Sequence, residues 1–369
     1  MATAEILKHT VDRAASLGPV CTAQTILVDH EMEASCALPN KAFVVLRACE
    51  TERVRFAGIN IAGCDFGIDT NGYSGTSNCP SSVGATQMQH FVQKDNFNIF
   101  RLPVGWQYLV HYVPGGTLDP RFFATYDNLV TQCLESGAYC IIDIHNYARW
   151  NGKIIGQGGP SDQQFISLWT QLAKHYAPQQ KIIFGIMNEP HDLDMTSWAR
   201  TVQAVVKAIR VAGATSQMIL LPGNDWSAAS SFVQDSAPAM ATVADTDGTT
   251  AKLVYDIHQY YDGKDGNGGG NEATCTTDHV SNGFSPLADY LRSHKRQALL
   301  SETGGGNTGS CSQYICSALD FLNANSDVFL GWVGWAAGSF DESYLANESP
   351  QGDTDTSLVR LCLAPKFNP

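Results

Sequence analysis

Lys181-Ile182-Ile183-Phe184-Gly185-Ile186-Met187-Asn188-Glu189-Pro190 is an apolar run that ends abruptly in polar residues. It shows no clean polar–apolar alternation, so it reads as a strand buried on both faces. Residues 196–212 follow with helical spacing, opened by Thr196 as N-cap and stopped at Gly213. Residues 218–223 then repeat the apolar run. Strand, helix and strand in this order make one parallel unit with a crossover helix.

The unit repeats along the chain. Strand-like runs occupy 53–63, 98–104, 139–146, 181–188, 218–223, 252–260, 297–303 and 329–336. Helical patterns lie between them at 119–136, 161–176, 196–212, 286–295 and 311–324, with Ser161 as a second N-cap and Gly137 as a second stop. This is the pattern of an α/β chain folded as a (β/α)8 TIM barrel. A doubly wound open sheet is the alternative. Its first strand would lead into G-x-G-x-x-G, and this one leads into Gly63-Cys64-Asp65-Phe66-Gly67. Residues 1–50 do not continue the pattern and are read as a poorly ordered lead. Residues 51–369 are read as one domain.

Composition bounds the partners. Lys and Arg number 23 against 36 Asp and Glu, a formal net charge of −13. A nucleic acid or an anionic membrane surface calls for the opposite sign. Only 16% of residues are charged, against about 25% in an average domain, which suits a neutral ligand. No apolar run approaches the roughly 18 residues of a membrane span. The 11 Cys point to an oxidising compartment, hence secretion. The stretch from Met1 to Gly18 mixes charges through the apolar core a signal peptide needs. From that conflict, the lead is expected to be absent from the mature enzyme.

In a barrel the chemistry sits where strands end. Here those ends read Phe100-Arg101-Leu102-Pro103, Asp143-Ile144-His145-Asn146, Met187-Asn188-Glu189-Pro190, Asp256-Ile257-His258-Gln259-Tyr260 and Ser301-Glu302-Thr303-Gly304, with Trp332 and Trp335 on the last strand. Each residue alone has a plain structural explanation: a salt bridge, a satisfied core histidine, a Trp that plugs the barrel. Together they converge on one mouth, where so many buried polar groups must serve one another or a ligand.

Two carboxyls facing each other there suit glycoside hydrolysis, in which one must be protonated and the other ionised. Aromatic faces stack on sugar rings, and Trp106, Tyr147, Trp150, Trp226, Tyr260 and Trp335 are available. No G-x-S-x-G, no P-loop, no C-x-x-C and no H-E-x-x-H occurs, so no cofactor or metal is expected.

Several segments resemble one family. They are Arg101-Leu102-Pro103-Val104-Gly105-Trp106, Asp143-Ile144-His145-Asn146-Tyr147-Ala148-Arg149-Trp150, Gly185-Ile186-Met187-Asn188-Glu189-Pro190-His191, Pro222-Gly223-Asn224-Asp225-Trp226, Asp256-Ile257-His258-Gln259-Tyr260, Glu302-Thr303-Gly304-Gly305-Gly306-Asn307 and Gly331-Trp332-Val333-Gly334-Trp335. The family is glycoside hydrolase family 5, in particular its fungal endo-β-1,4-glucanases.

The resemblance implies a retaining mechanism, with Glu189 as general acid/base and Glu302 as nucleophile. It implies that Arg101 keeps Glu302 ionised, that Asn188 binds the sugar 2-OH, and that His145 and His258 line the cleaving subsite. Tyr260 would orient Glu302. Trp335 would be the platform at that subsite, and Trp150 and Trp226 platforms in the flanking cleft. The expected enzyme is a secreted monomer acting on cellulose and related β-glucans. Mannan, xyloglucan or mixed-linkage glucan would use the same pair. A non-catalytic sugar-binding barrel would lack one carboxyl.

The resemblance also implies disulfides Cys133–Cys140, Cys275–Cys311 and Cys316–Cys362; Cys64 and Cys79, where this chain departs from the family's pattern, are left as a candidate fourth pair. That leaves Cys21, Cys36 and Cys49, read as free thiols, in the lead. Asn347-Glu348-Ser349 is a glycosylation sequon weakened by Pro350.

Overall fold

The alternation of strand side chains places one aliphatic or aromatic residue of every run at the same depth, from Phe56 through Ile99, Ile141 and Ile183 to Leu299 and Leu330. In the computed structural model these residues form one apolar layer that closes the lower end of a barrel. The structure describes residues 53–263 and 269–367, together with the pairs Thr22–Ala23 and Arg47–Ala48.

The barrel strands are β1 (Phe56–Ala62), β2 (Ile99–Val104), β3 (Tyr139–Ile144), β4 (Ile182–Gly185), β5 (Met218–Pro222), β6 (Leu253–Tyr260), β7 (Ala298–Gly304) and β8 (Phe329–Gly338). All are parallel, each pairs with its neighbour in sequence, and β8 closes on β1. The expected (β/α)8 TIM barrel is the fold.

Longer helices alternate with the strands: α1 (Ser81–Asp95), α2 (Pro120–Glu135), α3 (Asp162–Tyr176), α4 (Met195–Val211), α5 (Ser285–His294) and α6 (Gly309–Ala324). Between β5 and β6 stand only short pieces, Phe232–Asp235 and Ala237–Met240. Ser161 caps α3 through a reciprocal pair with Gln164. Thr196 does not cap α4. Asp194, two residues before it, does, because its carboxylate accepts from the Ser197 amide.

Disulfides join Cys64 to Cys79, Cys275 to Cys311 and Cys316 to Cys362. The expected Cys133–Cys140 bridge is absent: both are buried free thiols, and Cys133 donates to the Tyr139 carbonyl at 3.5 Å. Asn347 is a poor glycosylation acceptor because it is buried, with Nδ2 donating to Asp341 and Oδ1 taking the Ser349 amide.

The chain divides into units 1–52 and 53–369. Within the first, Thr22–Ala23 pairs antiparallel with Arg47–Ala48. The remaining expectations for the lead, including those for Cys21, Cys36 and Cys49, lie outside the described residues. Among the described residues no helix is long and apolar enough to cross a membrane.

Candidate active site

Above the apolar layer the inward positions turn polar. Two residues beyond Ile99 on β2, Arg101 points inward with no exposed surface. Its guanidinium reaches four acceptors from four strands or strand ends. It donates to Asn60 Oδ1 at 2.9 Å, Glu302 Oε2 at 2.7 Å and Asn188 Oδ1 at 2.6 Å, and lies 3.0 Å from Asp143 Oδ2. Asn60 spends its own amide on the carbonyls of Ser301 and Gly334, which ties β1 to β7 and β8. Such a buried cation is tolerable only because carboxylates and oriented dipoles replace its water. The Nδ2 of Asn188 is buried and has no protein partner.

Simple alternation would turn Glu302 away from the interior, since Leu299 and Ser301 already point in. A register shift resolves this. Ile257 pairs with Leu300, but His258 pairs with Glu302, so Ser301 is the extra residue of a bulge. The bulge re-aims the next side chain inward, as bulges beside functional sites do. Glu302 then takes Arg101 on Oε2 and the Tyr260 hydroxyl on Oε1, at 2.9 Å.

Glu189 comes from the other side of the mouth. It follows β4 with φ of 40°, a left-handed conformation that costs on the order of 1–3 kcal/mol outside glycine. Its Oε1 lies 2.9 Å from His258 Nδ1, and the same nitrogen is 3.9 Å from Glu302 Oε1. On the far side of the ring, Nε2 is 3.1 Å from Ser301 Oγ, whose hydroxyl donates to Asp256. With the Ser301 proton committed, His258 Nε2 must donate, which leaves Nδ1 as an acceptor in the neutral ring. Burial lowers the His258 pKa, against the pull of Glu302. Burial raises the Glu189 carboxyl to about 7, with His145 and Arg101 opposing. The two shifts agree: below about pH 7 Glu189 carries a proton, and His258 Nδ1 receives its hydrogen bond.

The aromatic wall has two parts. His145 bonds Asp143 through Nδ1 at 2.8 Å and stacks on Trp335, with centroids 5.5 Å apart and planes at 15°. Burial opposes protonation of His145, but the Asp143 bond and charge raise its pKa. Trp335 and Tyr260 share a small apolar cluster with Tyr344 and Phe340. Trp226 lies on the Glu189 side, its amide bonded to the Pro190 carbonyl at 3.0 Å.

Trp150 differs from expectation. It meets buried Trp106 edge-on at 4.9 Å within the main core, whereas Trp335 packs in the smaller cluster at the mouth.

The reading of strand ends brought together Glu189, Glu302, Arg101, His145, Asn188, His258, Tyr260 and Trp335. It passed over Asn60, Asp143, Asp256 and Ser301 as site residues. All four occupy inward positions of otherwise apolar strands, and that placement is the signal that marks them. Among the described residues two groups have the donor types and spacing to hold a metal ion: Glu189 with His258 and Glu302, and His90 with Asp95 and Asp355. In the second, His90 Nε2 already pairs with Asp355 at 2.6 Å.

A parallel barrel that sets a protonated carboxyl and a charge-paired carboxyl within reach of one acetal belongs to the class of barrel glycosidases. Comparison with known proteins narrows it: the cellulase family, glycosyl hydrolase family 5, matches residues 59–338. The chain belongs to that family and is a glycoside hydrolase. It is 55% identical to endoglucanase EG-II of Hypocrea jecorina over 85% of this chain and 78% of that protein. It is 48% identical to endoglucanase 1 of Saitozyma flava, over 85% and 90% of the two chains. The crystal structure of Cel5A (EG2) from Hypocrea jecorina superposes with a TM-score of 0.82 at 55% identity, over 85% of this chain and 99% of that one. That of XacCel5A in complex with cellopentaose gives 0.75 at 28% identity, over 85% and 99%.

Proposed function

We propose that this chain cleaves internal β-1,4-glucosidic bonds of cellulose and related β-glucans with retention, by double displacement. The observation that carries the reading is the spacing of the two carboxyls. One oxygen each from Glu189 and Glu302, with a His258 nitrogen, lie within 4.8 Å of one another. Retaining glycosidases hold the pair about 5–5.5 Å apart, and inverting ones leave about 6.5–9.5 Å for a water.

The residues take their roles from their surroundings. Glu302, beside Arg101, attacks the anomeric carbon as the bond to the leaving sugar breaks. Glu189 gives its proton to the departing oxygen, and a glycosyl ester forms on Glu302. Water then attacks the same carbon, Glu189 takes its proton, and Glu302 leaves as carboxylate. The unpartnered Nδ2 of Asn188 suits a hydroxyl of the reacting sugar, the 2-OH in the resembling enzymes. Tyr260 and His258 orient the pair, and Trp335 with His145 forms the platform beneath the reacting ring.

The named endoglucanase relatives and the cellopentaose-bound neighbour support a β-glucan substrate. In this reading residues 51–369 are the catalytic domain of a secreted monomer. Proton NMR of cellohexaose hydrolysis tests it: the β anomer should appear first and then mutarotate, and first appearance of the α anomer would overturn the covalent route.

A further inference from the structure

The segment after Glu189 carries a device that the hydrolytic steps do not use. His191 is buried, and both of its ring nitrogens face oxygens. Nδ1 is 2.7 Å from Asp192 Oδ2, and Nε2 is 2.9 Å from the Thr70 carbonyl. The two contacts anchor the ring at both nitrogens and so fix its plane. Its flat face lies on the Trp226 indole, with centroids 4.1 Å apart and planes at 10°. Two flat rings packed face to face hold each other's orientation.

Trp226 needs such support. It is 38% exposed, and Asp225, Trp226 and Ser227 all hold positive φ, at 50°, 61° and 56°. Three successive non-glycine residues in the left-handed region persist only where their surroundings hold them. The indole is fixed by the Pro190 carbonyl on its backbone, by the His191 ring on one face, and by the edge of Tyr147 at 6.0 Å. The charged groups about the imidazole are Asp192, then Arg149 beyond it, and Glu189.

We propose that His191 is a positioning residue: pinned by Asp192 and Thr70, it holds Trp226 as the platform for a glucosyl unit on the Glu189 side of the cleaved bond. This rests on the hydrolytic reading above. It links three loops at the mouth, those after β1, β4 and β5, so that the acid and the platform move as one piece. A purely structural His191 would stitch the loops without acting through Trp226, and the two cases separate in a double-mutant cycle.

The experiment is cellohexaose kinetics on wild type, His191→Ala, Trp226→Ala, Asp192→Ala and the double variant His191→Ala/Trp226→Ala. Loss of a stacked platform should raise KM about tenfold in His191→Ala and Trp226→Ala, with kcat within about twofold. Asp192→Ala should raise KM about threefold. The double variant should be no worse than Trp226→Ala. Effects that multiply in the double variant, or a fall in kcat that matches the rise in KM, would overturn the assignment. Should His191→Ala fail to fold, Asp192→Ala carries the test, since its side chain is 86% exposed. It must then raise KM in the native background and leave it unchanged beside Trp226→Ala. Calorimetric titration of cellohexaose into the same set built on Glu302→Gln reads binding without turnover. A failure of wild type to cleave cellohexaose would therefore count against the hydrolytic reading alone.

Discussion

Arg101 meets Glu302 at 2.7 Å while presenting no surface to solvent. The same guanidinium orients Asn188 and is itself oriented by Asn60, so one side chain sets the positions of the attacking group and of a sugar donor. Lysine carries the charge but lacks the planar fork that serves these acceptors together. Arg101→Lys should lower kcat/KM by about 10²- to 10³-fold, the scale of losing one pre-aligned electrostatic group. Arg101→Met should in addition destabilise the fold by about 3–5 kcal/mol, because Glu302 and Asp143 then lose their buried counter-charge. Steady-state kinetics and urea denaturation check the two parts separately.

The acid makes the reaction sensitive to pH. Burial holds the Glu189 carboxyl at about 7, well above an ordinary glutamate. A raised value means that the proton is present below that pH and lost above it. The protonated form is the one that can assist the leaving oxygen. The plot of log kcat/KM against pH should therefore bend downward at about 7 and fall toward a slope of about −1. Glu189→Gln should abolish that limb along with most of the activity on polysaccharide. A profile that stays flat through pH 9 would contradict the acid role.

Much of this mouth was legible in the chain, because alternation writes the barrel interior directly. Val254, Asp256, His258 and Tyr260 lie two apart on β6, as do Ile141 and Asp143 on β3, and the polar members rise above the apolar layer. Asp143 and Asp256 lie in the polar strand ends and Asn60 on β1, but their roles come from partners on other strands, Arg101 and Ser301, which the local sequence does not encode. The Ser301 bulge was not legible: it is a register choice between two strands, and no local preference in Leu299-Leu300-Ser301-Glu302 encodes it. The stack of His191 on Trp226 depends on a left-handed turn and on the Thr70 carbonyl, more than a hundred residues away. The edge-on contact of Trp150 with Trp106 joins two loops and was likewise not legible. Cys133 on α2 and Cys140 on β3 flank one short connection, but proximity alone does not make the bond.

The roles of the two carboxyls can be told apart by leaving-group chemistry. Glu302→Gln removes the nucleophile, so every substrate should suffer alike, by about 10⁴-fold or more. Glu189→Gln removes only proton assistance. An aryl cellobioside whose phenolate leaves readily needs little of that, so its glycosylation should be largely spared while cellohexaose cleavage falls by about 10²- to 10⁴-fold. Azide should then rescue turnover of the aryl substrate in Glu189→Gln by attacking the glycosyl ester without a base. Equal losses on both substrates, with no rescue, would dissolve the assignment.

Glu348 offers a test of stability that leaves the mouth untouched. It is wholly buried, Oε2 takes the Thr356 hydroxyl, and Oε1 has no partner. Burial raises its pKa well above the ordinary value, partly offset by Thr356, and Asp355 raises it further. The folded state thus holds this proton more tightly than the unfolded chain does. The sign follows from linkage: the contribution is fully present below the unfolded glutamate pKa, and it is lost as pH rises from there toward the folded value. Glutamine keeps the shape and the acceptor for Thr356 and never ionises. Glu348→Gln should therefore raise Tm at pH 7 by about 2–4 °C for each kcal/mol gained, and change it little at pH 4. Scanning calorimetry at the two pH values checks this, and an equal shift at both would mean that Glu348 is not held protonated by the fold.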